Sequence, residues 1–599
     1  MYRKSFILTH LGYFDDSISH AQHTLNLFGG KLISFTQKFD LYFVIIESLW
    51  RLGKFEESLL MIERVENIAR NEIIGEETTV MKEINAQFQF HKSCIYCFTD
   101  LSRSVEFVDN SIKLSKEIEN DVLYARSLFR KGKILTYQGI LDESLEIINE
   151  SLEIGRKLND HSIMANSLVA IGEIHRLKGD FDQALQFFDT ALVLYQEIGN
   201  NYGMAITYNN LGIVYYSQGD FDNSFEFFTK SLERALEINF NFTVVESLYY
   251  LINILLSRDN LFEAKEHLDI SRNASKDQQE TMIYYYTQLS EAVYNRKANR
   301  FTSLGKAQEI LVNIIEKNLV YQEINIHAML NLCEILLHEL RFTNNHEILQ
   351  DLEVISDKLL EIAKEQISRS LLAEVYWLKG RLALIDADID KATGFLSQAQ
   401  IIAEDQKLEN LARKISSDHD AILTEYASWK NIIEENASLA DRIKASQVDK
   451  LVLNMINRAT FDLEEIENDA PVMLMILDEN GIPFFSYQFG DEDQVNQVIF
   501  SGFLTAINNI IQEVFSTEGS LRRIEHQNYL LIFSQIENVI ICYAFKGSSY
   551  SASKKVEAFR SRLVSSPIWL DFPHMVKTGR SLEDDKFKRL ENWADEIFT

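Results

Sequence analysis

A six-residue phrase that recurs about every 40 residues constrains this chain more than any other feature. Its clearest copies read Gly-Asp-Phe-Asp and begin at Gly179 and Gly219, and each has a small residue in the sixth place. The remaining copies begin at Gly12, Gly53, Thr99, Gly139, Asp259, Asn299, Leu340 and Ala387. A fixed period of this length indicates one supersecondary unit stacked many times, and such a stack offers an extended binding surface.

Each unit predicts two antiparallel helices. In residues 165–198, small and apolar residues recur at helical spacing from Leu168, the phrase at Gly179 interrupts them, and a second stripe follows from Ala184. The glycine closes the first helix, and the small residues allow the two helices to approach closely. Residues 1–470 contain no proline, which suits a long series of uninterrupted helices.

The residues of the clearest units carry a family resemblance. Residues 205–238 place Leu211-Gly212, Tyr215, Ser224 and Phe228 at spacings that resemble tetratricopeptide repeats (TPRs) of the longer class, with a period of about 40 residues. The resemblance covers residues 1–410 and implies an all-α superhelical solenoid of about ten helix pairs. Residues 411–465 continue as apolar helix without the repeat, and we interpret them as capping and connecting helices.

In that family, the first helices of successive units line a groove that binds extended peptides or partner helices. Carried over one position at a time, the resemblance implies a groove formed by Asn166, Glu173, Arg176, Asn209, Asn210, Tyr216, Tyr249 and Asn253. An asparagine amide both donates and accepts, so it can pair with a peptide backbone. The alternative is that these are only solvated residues. We see no cluster of groove lysines or arginines, so the sequence does not support an anion clamp.

The C-terminal part has a different period. All four prolines lie in it, and Asn480-Gly481 between two apolar runs predicts a hairpin. A helix is predicted over residues 491–515, three more strands over residues 521–545, and a second helix over residues 549–564. This order, ββαβββα, is an α+β domain with an antiparallel sheet.

That order over residues 466–570 resembles the longin and Roadblock group of domains. The resemblance implies binding to a small GTPase or pairing with a second copy through residues 466–599. PAS and GAF sensor domains share an opening hairpin and are the alternative, in which a ligand-responsive domain controls the array. Residues 571–599 predict an amphipathic C-terminal helix.

The amino-acid composition limits the classes of partner that the chain is expected to bind. The formal net charge is -30 and the pI is about 4.9, which argues against nucleic acid as a partner. No apolar run is long enough to span a membrane, so we expect a cytoplasmic protein without membrane insertion. We find no phosphate loop, dinucleotide fingerprint or catalytic motif, and therefore expect an adaptor or scaffold that is not an enzyme and has no cofactor.

The one cysteine motif is Cys94 and Cys97, with His91 three residues earlier. A structural zinc site needs four ligands, and no second motif lies nearby to complete it. We interpret both cysteines as packed helix residues, with a metal or redox pair as the alternative, and we predict no metal site.

Overall fold

The computed structural model describes most of the chain. The described residues are 2–28, 34–72, 79–97, 100–276, 281–298, 301–317, 319, 322–365, 369–405, 408–424, 429, 437–457, 469–478, 483–489, 522–526, 529–537, 539–547, 549–572 and 584–598. Two compact units divide the chain. The first holds residues 1–386, 406–408 and 439–460, and the second holds residues 387–405, 409–438 and 461–599. The predicted domain limits at residues 410, 465 and 570 stay predictions.

The first unit is an all-α repeat array, as the period predicts. Within the described residues, nine helix pairs follow one another. The first helices are α1 (Tyr2–Leu11), α3 (Phe35–Arg51), α5 (Thr79–Tyr96), α7 (Asp121–Tyr137), α9 (His161–Leu177), α11 (Asn201–Ser217), α13 (Asn241–Ser257), α15 (Met282–Lys297) and α17 (Gln322–Thr343). The second helices are α2 (Phe14–Phe28), α4 (Phe55–Glu72), α6 (Leu101–Glu117), α8 (Leu141–Leu158), α10 (Phe181–Ile198), α12 (Phe221–Glu237), α14 (Leu261–Ser275), α16 (Phe301–Lys317) and α18 (His346–Glu365). Helix α19 (Arg369–Ile385) follows.

The recurring phrase forms the turn between the two helices of a pair. Gly179 ends α9 with φ +80°, a backbone conformation that L side chains rarely adopt. Asp180 then caps α10 by accepting the Gln183 backbone N–H at 3.3 Å. Where the glycine is missing, Asp259 takes the same left-handed conformation with φ 57°. The phrase therefore encodes a helix stop followed directly by a helix start.

One predicted copy of the phrase was placed wrongly. Leu340 lies inside α17, which continues to Thr343, and the left-handed residue is Asn344 with φ 54°. Asparagine tolerates this conformation better than most residues. The turn therefore comes four residues later than the apolar pattern indicated, because α17 is longer than the other first helices.

The small residue in the sixth place of the phrase holds the two helices of a pair together. Ser144 Oγ donates to the Gly132 carbonyl at 2.7 Å, and Ser224 Oγ donates to the Gly212 carbonyl at 3.0 Å. Both serines are fully buried. A glycine on the first helix makes room for this contact: a Cβ at Gly212 would lie 2.8 Å from the ring of Phe228.

Hydroxyl pairs also join successive pairs of helices. Ser151 on α8 donates to the Ala125 carbonyl at 2.8 Å, and Ser167 on α9 donates to Ser151 Oγ at 3.2 Å. Ser231 and Ser247 repeat this contact at 3.0 Å between α12 and α13. Each of these four buried hydroxyls thus has an internal partner, and the contacts fix the register in which the units stack.

Two further helices belong to the first unit. They are α22 (Leu439–Ser446) and α23 (Val448–Asn457), which follow α20 (Ile389–Asp405) and α21 (Glu409–Thr424) of the second unit along the chain. Arg442 Nη1 donates to the Ile385 carbonyl of α19 at 3.3 Å, and Arg341 of α17 pairs with Asp449 at 2.6 Å. Leu439 and Ile443 are buried in the same region. These helices cover apolar surface near the end of the array.

The second unit combines helices with an antiparallel sheet. Its helices are α20 (Ile389–Asp405), α21 (Glu409–Thr424), α24 (Ser549–Val564) and α25 (Asp584–Phe598), with a 3₁₀ helix at Pro567–Asp571. The strands are β1 (Ala470–Asp478), β2 (Pro483–Gln488), β3 (Arg522–His526), β4 (Tyr529–Ile536) and β5 (Val539–Lys546), in the spatial order β2-β1-β5-β4-β3. The predicted antiparallel sheet is confirmed. The helix predicted over residues 491–515 lies outside the described residues, so the full ββαβββα order stays a prediction.

One face of this sheet packs against α24 and α25. Tyr543, Phe559 and Phe598 form a buried cluster in which the Tyr543 and Phe598 ring centroids are 4.4 Å apart. Next to it, Asp469 accepts the Tyr543 hydroxyl at 2.6 Å and pairs with Lys555 at 3.1 Å. The C-terminal helix therefore contributes to the core of its own unit. No described helix is both long and apolar enough to cross a bilayer.

Candidate functional site

The first helices of different pairs share one surface of the array, which we call the inner surface. It is defined by the side chains of α3, α5, α7, α9, α11, α13, α15 and α17 that contact one another across pairs. The eight predicted groove residues lie on α9, α11 and α13 of this set.

The three predicted residues of α9 are partly buried. Asn166 Oδ1 accepts the Tyr195 hydroxyl at 2.7 Å. Glu173 accepts Lys133 Nζ from α7 and Asn210 Nδ2 from α11, the latter at 3.4 Å. Arg176 has a buried Nε without a hydrogen-bond partner. Glu173 therefore links three neighbouring pairs of the array.

The three predicted residues of α11 are buried, with exposed fractions of 6% or less. Asn209 Nδ2 donates to Glu246 at 2.9 Å, and its Oδ1 accepts Ser247 Oγ at 3.0 Å. The Tyr216 ring packs edge-on against the Tyr250 ring at 5.2 Å. Burial raises the pKa of the Tyr216 hydroxyl above its ordinary range, so this group stays protonated.

The two predicted residues of α13 are buried as well. The Tyr249 hydroxyl lies 3.2 Å from His327 Nδ1 of α17. Asn253 Nδ2 donates to the Tyr249 carbonyl of its own helix at 2.8 Å. The structure thus brings α9, α11 and α13 together, with the asparagine amides hydrogen-bonded inside the chain. The assignment of the eight residues to peptide binding stays a prediction.

A cationic cluster lies on the inner surface between α3 and α7. Glu47 accepts two bonds from Arg51, at 3.0 and 2.7 Å, and a third from Arg126 Nη2 at 3.0 Å. Burial opposes the negative charge of Glu47, but Arg126 and Arg51 outweigh it and hold the pKa of this carboxyl well below its usual range. Glu47 is therefore ionised and shared between two arginines.

The cluster continues through Arg130, which is 9% exposed. Its guanidinium lies 5.5 Å from the centroid of the Trp50 ring, and Nη1 contacts Cys97 Sγ at 3.6 Å. Trp50 Nε1 donates to His91 Nδ1 at 3.2 Å. Burial, together with the three arginines nearby, lowers the pKa of His91 to about 3, with Glu47 opposing them. His91 is therefore neutral and acts as a hydrogen-bond acceptor.

Lys133 completes the cluster one turn further along α7. Its ammonium pairs with Glu173 and lies 5.1 Å from the centroid of the Tyr137 ring. Arg51, Arg126, Arg130 and Lys133 thus form a cationic row that faces Glu47 and Glu173. We call these six residues the inner cationic cluster.

We predicted no cluster of groove lysines or arginines from the sequence, so the inner cationic cluster was missed. Arg126, Arg130 and Lys133 do recur at helical spacing within α7, which is a usable signal. Their partners Glu47 and Arg51 lie in α3, two pairs earlier. Only the stacking of pairs brings the two helices together.

The first pair of the array reaches the sixth pair and closes the inner surface at one side. The Phe14 and Tyr202 ring centroids are 5.3 Å apart, and Asn201 Nδ2 donates to the Tyr13 hydroxyl at 3.4 Å. The Arg51 guanidinium lies over the Tyr202 ring at 4.6 Å. These contacts join residues nearly 190 positions apart in the sequence, so the array closes around one side of the inner cationic cluster.

Cys94 and Cys97 are both buried and unpaired. Burial raises the pKa of Cys97 to about 12, so the thiol is protonated at neutral pH. Among the residues that the structure describes, no group of three or more His, Cys, Asp or Glu side chains could hold a metal ion.

Comparison with known proteins supports the repeat. A tetratricopeptide repeat family model matches residues 123–195 and 163–237, which lie in the central part of the array. No curated protein sequence matches the chain.

Several solved structures match part of this chain at low similarity. A Rap protein complexed with competence and sporulation factor is 15% identical, with a TM-score of 0.44 over 61% of this chain and 97% of that one. The apo form of the quorum sensor NprR from B. thuringiensis is 14% identical, with a TM-score of 0.40 over 58% and 96%. The Rap conjugation gene regulator of plasmid pLS20, in complex with the Phr* peptide, is 13% identical, with a TM-score of 0.41 over 60% and 98%. Similarity at this level is no basis for inferring function.

Proposed function

We propose that this chain is a non-enzymatic interaction adaptor in the cytoplasm whose TPR array binds a peptide or protein partner. The observation that carries the proposal is the stack of helix pairs whose central units match the TPR family model. A stack of this kind presents a continuous surface built from equivalent positions of successive units, which suits an extended partner.

The inner surface is the part of the array where we propose that the partner binds. Asn166, Glu173 and Arg176 are partly exposed, so they can contact a ligand directly. Asn209 and Asn210 are buried in hydrogen bonds to Glu246, Ser247 and Glu173. A partner would therefore have to exchange these internal bonds for its own, which costs little only if every amide is paired again.

Affinity purification of the full chain tests this proposal. We expect a defined set of proteins to co-purify with the wild type and to be lost from the N209A/N210A variant. The matched control is N149A/Q186A, which removes two amides from exposed positions on α8 and α10. Far-UV circular dichroism checks that both variants fold. Equal recovery of partners by folded N209A/N210A and by the control contradicts a role for these amides.

A second part of the proposal assigns a partner to the second unit. We propose that residues 466–570 resemble longin and Roadblock domains and that residues 466–599 engage a small GTPase or a second copy of the chain. The five-stranded antiparallel sheet with α24 and α25 on one face supports an interaction domain of this kind. Densely packed apolar side chains on both faces of β1 and β5 favour it over a PAS- or GAF-like sensor with a ligand cavity.

Two measurements on the full chain separate these possibilities. A pull-down from lysate loaded with a non-hydrolysable GTP analogue or with GDP should retain a GTPase in only one nucleotide state, and light scattering reports a second copy. A monomeric chain that retains no GTPase in either nucleotide state contradicts the proposal for the second unit. A small molecule seen by native mass spectrometry would instead favour the sensor.

A further inference from the structure

We propose that the inner cationic cluster is a binding site for a phosphate-class oxyanion. The site shares Glu173 of α9 with the proposed partner-binding residues, but its other members lie on α3 and α7 near the start of the array. Its ligand would be inorganic phosphate or the phosphoryl group of a small molecule.

The charge count of the cluster supports a doubly charged ligand. Four cationic side chains face two carboxylates, which leaves an excess of two positive charges in a protein whose net charge is -30. A phosphoryl group carries between about -1.5 and -2 at neutral pH and would neutralise this excess. A single carboxylate would neutralise only half of it.

Among the residues that the structure describes, no carboxylate pairs with Arg130. It is nine-tenths buried, its Nε has no hydrogen-bond partner, and Nη1 has only the weak acceptor Cys97 Sγ at 3.6 Å. A buried charge without a partner is costly, and a planar guanidinium presents a fork of donors that fits phosphate oxygens. An oxyanion beside Arg130 would accept the donors that the chain leaves unused.

The side chains around the inner cationic cluster limit the size of a ligand that can enter it. Side-chain exposures are 21% for Arg51, 31% for Arg126 and 13% for Lys133, so solvent reaches the edge of the cluster. Phe14 and Tyr202 close the array beside Arg51. A small anion can enter such a space more readily than a peptide segment.

The groups that face the cluster are compatible with an anion. His91 on α5 is neutral, because its Nδ1 accepts the Trp50 N–H and its pKa lies near 3. Cys97 is a thiol, and burial also keeps the Tyr137 hydroxyl of α7 protonated. Glu47 and Glu173 are each already paired with cations.

Isothermal titration of the full-length protein with sodium phosphate, at constant ionic strength in sodium chloride, tests the site. We expect one phosphate per wild-type chain and at least about tenfold weaker binding to R130M, because the lost charge-assisted bonds are each strong. The control is K230M, which removes an exposed lysine from α12 and should bind as the wild type does. Should R130M fail to fold by circular dichroism, R130K keeps the charge without the fork and is still expected to bind more weakly.

A second pair of titrations identifies the source of the anion. Binding of O-phosphoserine but not of serine or inorganic phosphate assigns the site to a phosphorylated small molecule, and binding of inorganic phosphate assigns it to the free anion. The proposal is overturned if the wild type binds neither phosphate nor phosphoserine, or if R130M and K230M bind with equal affinity. These titrations do not depend on partner binding by the array, so the oxyanion proposal and the partner-binding proposal can be refuted independently.

Discussion

Replacing Gly172 by alanine should destabilise the array at the contact between α9 and α10. A Cβ at this position would lie 2.6 Å from Cε1 and 2.8 Å from Cδ1 of the Phe188 ring, and Phe188 is fully buried. Contacts this short force the ring or a helix to move, and overpacking of this kind costs about 1–3 kcal/mol. Alanine also gains roughly 1 kcal/mol over glycine within a helix. The difference between the two terms is a net loss of up to about 2 kcal/mol.

Gly305 provides a matched control on α16. It is also a helical glycine, but a Cβ there would meet nothing within 4 Å. The gain in helix propensity is therefore shared by G172A and G305A, and the difference between the two variants isolates the clash with Phe188. We expect G305A to be as stable as the wild type or slightly more stable.

Hydrogen exchange measures this difference locally. Because repeat arrays do not unfold in a single two-state step, a global midpoint alone would be ambiguous. Peptides from α9 and α10 should exchange about tenfold faster in G172A, since 1.4 kcal/mol corresponds to a factor of ten. Equal protection of α9 and α10 in G172A and G305A would contradict the claim that Gly172 is required for the close approach of these two helices.

Three further outcomes follow from buried polar contacts. The pKa of His91 is lowered to about 3 in the folded chain. As the pH falls below about 6.5, His91 therefore binds a proton in the unfolded chain before it does so in the folded chain. The free energy of unfolding should then decrease by up to about 1.4 kcal/mol per pH unit. H91Q should reduce this slope in urea titrations at pH 4–7. S144A should lose about 1 kcal/mol, because the Gly132 carbonyl loses one of two buried hydroxyl donors and keeps only that of Thr136. Urea unfolding with S19A as the exposed control measures this loss. K555M leaves the buried Asp469 without its cation and should lower the melting temperature of the second unit, whereas K554M should not.

The local architecture of the array could be predicted from the sequence because its determinants are local. The stop at Gly179, the cap at Asp180 and the hydroxyl contact of Ser144 all join residues within about a dozen positions. The hairpin strands around Asn480-Gly481 are local in the same sense. Within the array, each of these contacts depends on the residue type at an equivalent position of the repeat, and the period of the sequence shows where those positions are.

The position of a turn was predicted less exactly where another residue replaces the glycine of the repeat. Asn344 replaces the glycine after α17, so the apolar pattern placed this turn at Leu340. Asp259 shows that a non-glycine residue can occupy the same conformation when the surrounding helices fix it. The period determined that a turn exists but not its position.

The inner surface was decided by tertiary structure alone. Arg126 meets Glu47 across 79 positions, and Phe14 meets Tyr202 across nearly 190, because each stacked pair adds a small rotation that brings distant first helices together. The same rotation turns Asn209 towards Glu246. The sequence by itself determined that this protein is a stack of helix pairs with a sheet-containing unit after it. Only the stacking determined which charges share the enclosed space within it, since a repeat period specifies neighbours along the chain but not partners across turns.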